Sequence, residues 1–168
     1  GPAYGEAITQ PASEKDWPTF RGNTERSGFT RQTMATNLAN DWTSKLGGRL
    51  SSVVIAGGKV FVAQIDAHTV HALDAATGKP AWSYVTGGRV DSPPTFHDGR
   101  VLFGSADGCV YCLRASDGAL IWRFQAAPQD RRLMAFEQLE SVWPVHGNIL
   151  IYDGKAYFVA GRSAFLDG

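Results

Sequence analysis

The chain has 168 residues, and its 16 lysines and arginines are balanced by 16 aspartates and glutamates, so it carries no formal net charge. That balance excludes a non-specific nucleic-acid binder, which needs excess cations to displace counterions from phosphates, and no apolar run approaches the roughly 18 residues of a membrane span. The hydrophobic content of 43% is enough for a buried core, and the 19 glycines indicate many tight turns between short strands.

A repeat organises most of the chain. Residues 1–41 come before its first recognisable feature and are interpreted as a lead-in segment. Trp42, Trp82 and Trp122 then follow at intervals of 40 residues, and the sequence around them recurs. A fixed period of this length predicts stacked copies of one structural unit.

Turn signals inside one period mark four short strands. Asp-Gly and Ser-Asp-Gly sequences separate them, and these residues tolerate positive φ in tight turns. Four antiparallel strands in about 40 residues are typical of a β-propeller blade, so we predict an all-β propeller of four-stranded antiparallel blades. In the best copy the predicted strands are Ser92–His97, Arg100–Ser105, Cys109–Arg114 and Leu120–Gln125.

The period divides the chain into whole and partial blades. A propeller needs roughly four to eight blades to close, and about 2.5 to 3 of an expected six to eight are present here. We therefore expect a fragment or subunit of a larger propeller, completed by its remaining blades or by another chain, that would assemble or aggregate through open sheet edges when alone. The predicted parts are an orphan outer strand at 42–47, blades at 50–83 and 90–125, an inserted connection at 126–144 and a half blade at 145–168.

Cys109 and Cys112 are the two cysteines of the chain. Strand residues three apart point to opposite faces and lie roughly 10 Å apart, whereas a disulfide needs Cα atoms within about 7 Å. Both are therefore predicted to be packing thiols. No second cysteine pair accompanies them, and no metal site is assigned.

The segment Ala72–Trp82 has the pattern Ala-x-Asp-x-x-Thr-Gly-Lys-x-x-Trp. It resembles the tryptophan-docking motif of PQQ-like repeats, found in quinoprotein dehydrogenases and BamB-like propellers. The resemblance implies that Gly78 makes the turn and that the Trp82 ring packs between neighbouring blades. Trp42 is assigned the same docking role, and a degenerate second copy keeps Gly118 and Trp122.

Two further segments extend the resemblance to residues 16–168. Residues 16–28 resemble the lead-in of secreted PQQ-repeat proteins, and 138–163 resemble large, poorly characterised propellers of planctomycete type. These families are exported, so the resemblance implies a periplasmic or extracellular protein.

Candidate ligand-binding residues gather on one face of the predicted propeller. The turns between second and third strands and the blade-to-blade connections share this face, which we call the mouth face. In PQQ-repeat enzymes it holds cofactor and substrate, as the resemblance implies. The candidates are Arg49, Arg89, Asp91, Arg131, Arg132, Glu140 and His146.

These candidates admit more than one interpretation. Arg49 and Arg89 recur at equal spacing, which favours a structural ion pair or carbonyl contact. Asp91 and His146 occupy equivalent repeat positions near the channel, where such groups would bind a cation or a polar ligand. The connection 126–144 is unusually long for a propeller. Its centre, 133–136, is predicted to form a short helix over the channel mouth, either as a functional element or as a cap on the blade.

Three functions are compatible with these features. The favoured one is a non-catalytic scaffold that binds a protein or a ligand. The alternative is part of a dehydrogenase that uses PQQ and calcium, although the resemblance also implies an adjacent cysteine pair in that family, which this sequence lacks. A hydrolase built on Asp91, His146 and Glu140 rests on proximity alone.

Overall fold

The computed structural model describes residues 1–33 and 35–163. Its first sheet has four antiparallel strands in chain order, joined between the second and third by a single 3₁₀ turn at Ile65–Ala67. The strands are β1 (Val54–Ala56), β2 (Lys59–Gln64), β3 (Thr69–Asp74) and β4 (Pro80–Val85).

The second sheet repeats this topology. Its first turn, Asp98-Gly99, has φ values of 46° and 73°, which two-residue hairpins need and which these residue types accept. The strands are β5 (Thr95–His97), β6 (Arg100–Gly104), β7 (Cys109–Arg114) and β8 (Leu120–Gln125). The predicted strands of this blade are thus reproduced closely, except that residues 92–94 lie outside the ladder.

Two hairpins complete the described structure. The strands β9 (Arg132–Ala135) and β10 (Gln138–Ser141) form one of them, and β11 (Val145–Tyr152) and β12 (Lys155–Ala160) form the other. The prediction of a helix at 133–136 is wrong. Phe136 and Glu137 instead adopt positive φ values of 51° and 61°, which reverse the chain into a hairpin.

Neighbouring sheets pack face to face through aromatic side chains. Phe61 on β2 stacks on Phe96 on β5 with ring centroids 6.1 Å apart, and Tyr84 on β4 meets Tyr111 on β7 edge to face at 5.8 Å. These rings belong to one buried cluster shared by the first two sheets. The apolar faces of successive blades therefore form the core.

Two tryptophans dock in the same way. Trp42 Nε1 donates a 3.0 Å hydrogen bond to the carbonyl of Ala75, and Trp82 Nε1 donates one of 3.0 Å to Ala115. A Cβ at Gly78 would lie 2.4 Å from the Trp42 ring, and one at Gly118 would lie 2.7 Å from the Trp82 ring. Glycine is thus required at both turns by steric fit as well as by positive φ.

Trp42 docks without belonging to a strand. The orphan outer strand predicted at 42–47 is absent from the described residues, because no neighbouring strand lies beside this segment to form a ladder with it. Trp122 lies on β8 opposite Cys112, and within the described ranges its indole has no hydrogen-bonded acceptor like those of the other two.

The lead-in segment crosses the second sheet on the face opposite the mouth face. Ala3 N–H donates to the carbonyl of Leu120, and Gln10 N–H donates to the Asp98 carboxylate. Further along, Trp17 forms a bridge with Ile55 on β1. The segment therefore runs from β8, the outer strand of this sheet, to the edge formed by its first strand, β5. We call the edge formed by the first strand of each sheet the inner edge.

The remaining features agree with an all-β fold. Both cysteines are buried free thiols, as predicted. None of the helical structure in residues 1–33 and 35–163 has the length and apolarity needed to cross a membrane.

Candidate functional site

The β9–β10 hairpin lies over the mouth face and is held there by a buried ion network. Arg89 Nε donates a 2.5 Å hydrogen bond to one oxygen of Glu140, and Arg162 donates one of 2.8 Å to the other. The side chain of Glu140 is fully buried and that of Arg89 is 5% exposed. One carboxylate thus joins three regions: the hairpin, the connection between the first two blades, and the end of β12.

The two arginines decide the ionisation of Glu140. Burial acts to raise the pKa of this carboxyl group, but the hydrogen bonds from Arg89 and Arg162 outweigh burial and hold the pKa below its usual value. Glu140 is therefore ionised at neutral pH. A buried carboxylate of this kind is tolerated because both of its oxygens are paired.

The tip of the hairpin rests on the same network. The Phe136 ring covers the Arg89 guanidinium, with 4.3 Å from Cζ to the ring centroid, in a cation–π contact. The opposite face of Phe136 is open, since the residue is 69% exposed. Arg89 is thus enclosed by the hairpin, while the hairpin presents its tip to solvent.

A second contact ties the hairpin to the first sheet. Gln138 Oε1 lies 2.6 Å from His68 Nε2, and Gln138 Nε2 donates a 3.3 Å hydrogen bond to the carbonyl of Asp66. Both partners belong to the turn between β2 and β3. Together with the Glu140 network, this contact makes the hairpin span the mouth face from the first sheet to the β11–β12 sheet.

Asp91 and His146 form a hydrogen-bonded pair beneath the β9–β10 hairpin. His146 Nδ1 donates a 2.6 Å hydrogen bond to the Asp91 carboxylate, whose other oxygen accepts from Ser92 at 3.0 Å. Burial acts to raise the pKa of Asp91, but the bond from His146 and the charge of nearby Arg89 contribute to a net lowering. Two residues predicted to face the channel are therefore paired with each other.

Comparison with known proteins identifies the family to which this chain belongs. The family model described as outer membrane protein assembly factor BamB, a PQQ-repeat family, matches residues 24–163. The chain belongs to this family. BamB of Yersinia pestis is 34% identical over 91 residues, which cover 54% of this chain and 23% of that protein. The dehydrogenase subunit of the quinone alcohol dehydrogenase of Gluconacetobacter polyoxogenes is 30% identical over an alignment covering 97% of this chain and 24% of that protein.

Solved structures give the same fold. The quinohemoprotein alcohol dehydrogenase ADHIIG of Pseudomonas putida superimposes with a TM-score of 0.69 over 89% of this chain and 23% of its own, at 16% identity. BamB of Moraxella catarrhalis gives 0.54 over 71% and 33%, at 25% identity. The propeller-type fold is therefore confirmed, and the chain spans about a quarter of the length of several of these PQQ-repeat relatives.

The other candidate residues take separate positions in this PQQ-repeat structure. Arg49 pairs with Asp66 at 2.9 Å, with both side chains about half exposed. Arg132 lies 3.3 Å from Asp130 on the solvent side of the hairpin, and Arg131 is exposed beside it. Neither Arg131 nor Arg132 joins the Glu140 network.

Three residues of the site were missing from the sequence-based set. Arg162 lies just after β12, a mouth-face position that the repeat marks, but its pairing with Glu140 depends on the path of the hairpin. No sequence pattern marked Phe136 or Gln138, because the contacts of both depend on a hairpin whose turn contains no glycine.

The described residues do not supply a calcium site of the kind that the resemblance to quinoprotein dehydrogenases implies. Calcium takes six to eight oxygen ligands. On this face both oxygens of Glu140 are bonded to arginines, and those of Asp91 to His146 and Ser92. Within the ranges that the structure covers, no three acidic, histidine or cysteine side chains cluster as metal ligands.

Proposed function

We propose that this chain is part of a non-catalytic PQQ-like propeller that binds a partner protein through its mouth face. The observation that carries the proposal is the β9–β10 hairpin. Buried ion pairs fix it in place, and its outer side carries exposed apolar and cationic residues together with the acidic residues Asp130 and Glu137. A rigid element with this surface suits recognition better than turnover.

The outer side of the hairpin has the composition of an interface. Met134 is 70% exposed, Phe136 69% and Leu139 51%, and Arg131 and Arg132 adjoin them. Aromatic residues, methionine and arginine are enriched in protein interfaces, and a clustered apolar patch on a soluble face commonly marks an interaction site. Arg132 is paired with Asp130, and Glu137 lies at the turn, so a partner segment with apolar anchors and a carboxylate near Arg131 fits this surface.

The charged groups beneath the hairpin support a structural role. Arg89 and Arg162 each bond one oxygen of Glu140, and Asp91 is bonded to His146, so both carboxylates are already engaged within the protein. The mouth, where PQQ-repeat enzymes would receive a cofactor, is crossed by the hairpin. This arrangement favours a scaffold.

The setting proposed for this scaffold is an exported protein. Relatives are named outer membrane assembly factors, and the lead-in resembles that of secreted PQQ-repeat proteins. We further propose that remaining blades, or another chain, pair with β12, whose residues Tyr157 and Val159 are 47% and 73% exposed. Closing the ring would remove this open sheet edge.

The binding role is tested by site-specific photo-crosslinking in the full-length protein. A photoreactive phenylalanine analogue replaces Met134 on the hairpin, and Lys79, exposed on the opposite face, is the matched control position. We expect one discrete crosslinked partner from position 134, lost when Arg131 and Arg132 are both changed to Glu, and none from position 79. Equal labelling at both positions, or none, would contradict the proposal.

The second candidate is a dehydrogenase that uses PQQ and calcium, favoured by the quinone alcohol dehydrogenase relative that aligns with 97% of this chain. The full-length protein is mixed with PQQ and calcium, and quinone absorbance and dye reduction with alcohols and sugars are measured. The scaffold proposal predicts neither signal. Dye reduction that depends on both additions would establish the dehydrogenase instead.

A further inference from the structure

The first strands of the three blades share one backbone position. Ile55 on β1, Phe96 on β5 and Ile151 on β11 each stand one residue before the end of the strand. Each is paired across its hairpin with the residue that follows the start of the next strand: Val60, Val101 and Ala156. In antiparallel ladders alternate residues direct their N–H and C=O groups away from the partner strand. These three residues therefore expose main-chain groups along the inner edge.

The lead-in already occupies this edge on the first two blades. Trp17 N–H donates to the Ile55 carbonyl at 2.7 Å, and Ile55 N–H donates back to Trp17 at 3.0 Å. The next residue, Pro18, accepts a 2.7 Å hydrogen bond from Phe96 N–H. Consecutive residues of one extended segment thus bind equivalent positions of consecutive blades.

The third position opens into a cavity. Ile151 lines a cavity of about 530 Å³, and no described residue bonds its main chain at the inner edge. The lead-in forms one wall, at Pro18, Thr19 and 22–24, and β5 forms another. A cavity of this size is within the range of small-ligand sites, roughly 300–1,000 Å³.

The walls of the cavity are mostly uncharged. Pro18, Phe96 and Leu150 are apolar, and the hydroxyl groups of Thr19 and Thr95 are hydrogen-bonded to each other at 3.1 Å. The carboxylate of Asp98 is already bonded to Gln10 N–H and Arg100. An ionic ligand would therefore gain little here, whereas an uncharged main chain with apolar side chains would be well matched.

We propose that the inner edge at Ile151 binds an extended, uncharged peptide segment of a partner protein by strand addition. Its main chain would exchange hydrogen bonds with Ile151 as Trp17 does with Ile55, and its side chains would enter the cavity. The argument for this occupant is continuity, since the same edge already binds extended backbone at the two preceding blades. The site lies at the opposite end of the blades from the hairpin and does not depend on the function proposed above.

The test uses the full-length protein and the peptide Trp-Pro-Thr-Phe-amide, which copies lead-in residues 17–20 and carries fluorescein on its amino terminus through a Gly-Gly spacer. Fluorescence anisotropy is expected to show saturable binding. Thr24→Trp, which fills the cavity from the lead-in side, should weaken binding at least tenfold. Lys79→Trp, which places the same side chain on an exposed turn away from the cavity, should leave binding unchanged.

A second measurement needs no variant. The same peptide with its tryptophan main-chain nitrogen methylated loses one donor for the strand edge, and it should also bind at least tenfold more weakly. If circular dichroism shows that Thr24→Trp does not fold, the comparison of the methylated and unmodified peptides tests the proposal. The proposal is overturned if the unmodified peptide does not bind, as when another part of the same protein fills the cavity, or if methylation has no effect.

Discussion

Arg49 and Arg89 occupy the same position in successive repeats but make very different ion pairs. Arg49 pairs with Asp66 of its own blade in solvent, with side chains 60% and 49% exposed. In the second blade Ala106 N–H donates to Arg89 as Ile65 N–H does to Arg49, and the following Asp107 is bonded to Gly87 and Tyr111. Arg89 pairs with Glu140 from the hairpin in a buried setting. The repeat thus determines the position of the arginine, while the inserted hairpin determines which carboxylate pairs with it.

The energetic consequences should differ by several fold. Exposed ion pairs contribute about 0–1 kcal/mol. Breaking a buried pair by removing one partner costs about 3–5 kcal/mol, because the remaining charge is left without compensation. We therefore expect the Arg49–Asp66 pair to be dispensable, whereas the conformation of the mouth face should depend on the Arg89–Glu140 pair.

The largest expected effect comes from Glu140→Ala. It leaves the buried Arg89 without its paired carboxylate and removes one partner of Arg162, and the hairpin should lose about 3–5 kcal/mol of local stability. Native-state hydrogen exchange of the β9–β10 amides in the full-length protein measures this loss directly. Unchanged protection of these amides would show that the hairpin is held mainly by other contacts.

Acid should release the same hairpin. The folded-state pKa of Glu140 lies below its usual value of 4.5. Its stabilising contribution is therefore complete above that value and is lost as pH falls through the lower folded-state pKa. Exchange protection of the hairpin should decline in this acid range, and Glu140→Gln should remove much of the decline.

Asp91 needs its own control, because its pKa is also lowered and it would act in the same direction. Asp91→Asn should leave the acid response of the hairpin largely intact. A response that disappears in this variant would transfer the pH dependence to the Asp91–His146 pair.

A smaller effect is expected from Phe136→Ala. The ring covers the Arg89 guanidinium at 4.3 Å, and a cation–π contact at a partly exposed site contributes about 0.5–1 kcal/mol. Amides near the turn should exchange up to about fivefold faster, while the β2–β3 amides remain unaffected. Phe136→Leu keeps an apolar cover without the ring and separates the two contributions.

The smallest effect is expected from Asp66→Asn, the matched change in the first blade. Loss of its exposed pair with Arg49 should alter unfolding of the full-length protein by less than about 1 kcal/mol, as measured by urea titration. High salt should reproduce this small change in the unmodified protein. A cost comparable with that of Glu140→Ala would end the distinction between the two blades.

The sequence was most informative where local chemistry determines structure. The motif at Ala72–Trp82 predicted the turn at Gly78 and the docking of Trp82, and the ring of each tryptophan lies against the glycine turn of the following motif, Gly78 for Trp42 and Gly118 for Trp82. Asp98-Gly99 predicted a hairpin because both residues accept positive φ. The register of the second blade followed from these turns with little further information.

Prediction failed where the structure depends on distant partners. Residues 133–136 are too few for hydrophobic periodicity to separate helix from strand, and the Phe136-Glu137 turn has no glycine to mark it. Trp42 shows a related limit, since its indole docks as the motif requires but residues 42–47 have no adjacent strand. The pairing of Glu140 with Arg89 and Arg162 depended on the path of the hairpin and was equally hidden.

The lead-in also has a consequence for the order of folding. Glu6 forms an ion pair with Arg114, 108 residues later in the chain, so this contact waits until the second blade has been synthesised. Closing so long a loop costs entropy that local hairpins avoid, and contacts distant in sequence form slowly. The lead-in is thus among the last parts of this chain to become ordered, and until then Trp17 and the inner edges of both blades lack the hydrogen bonds that join them.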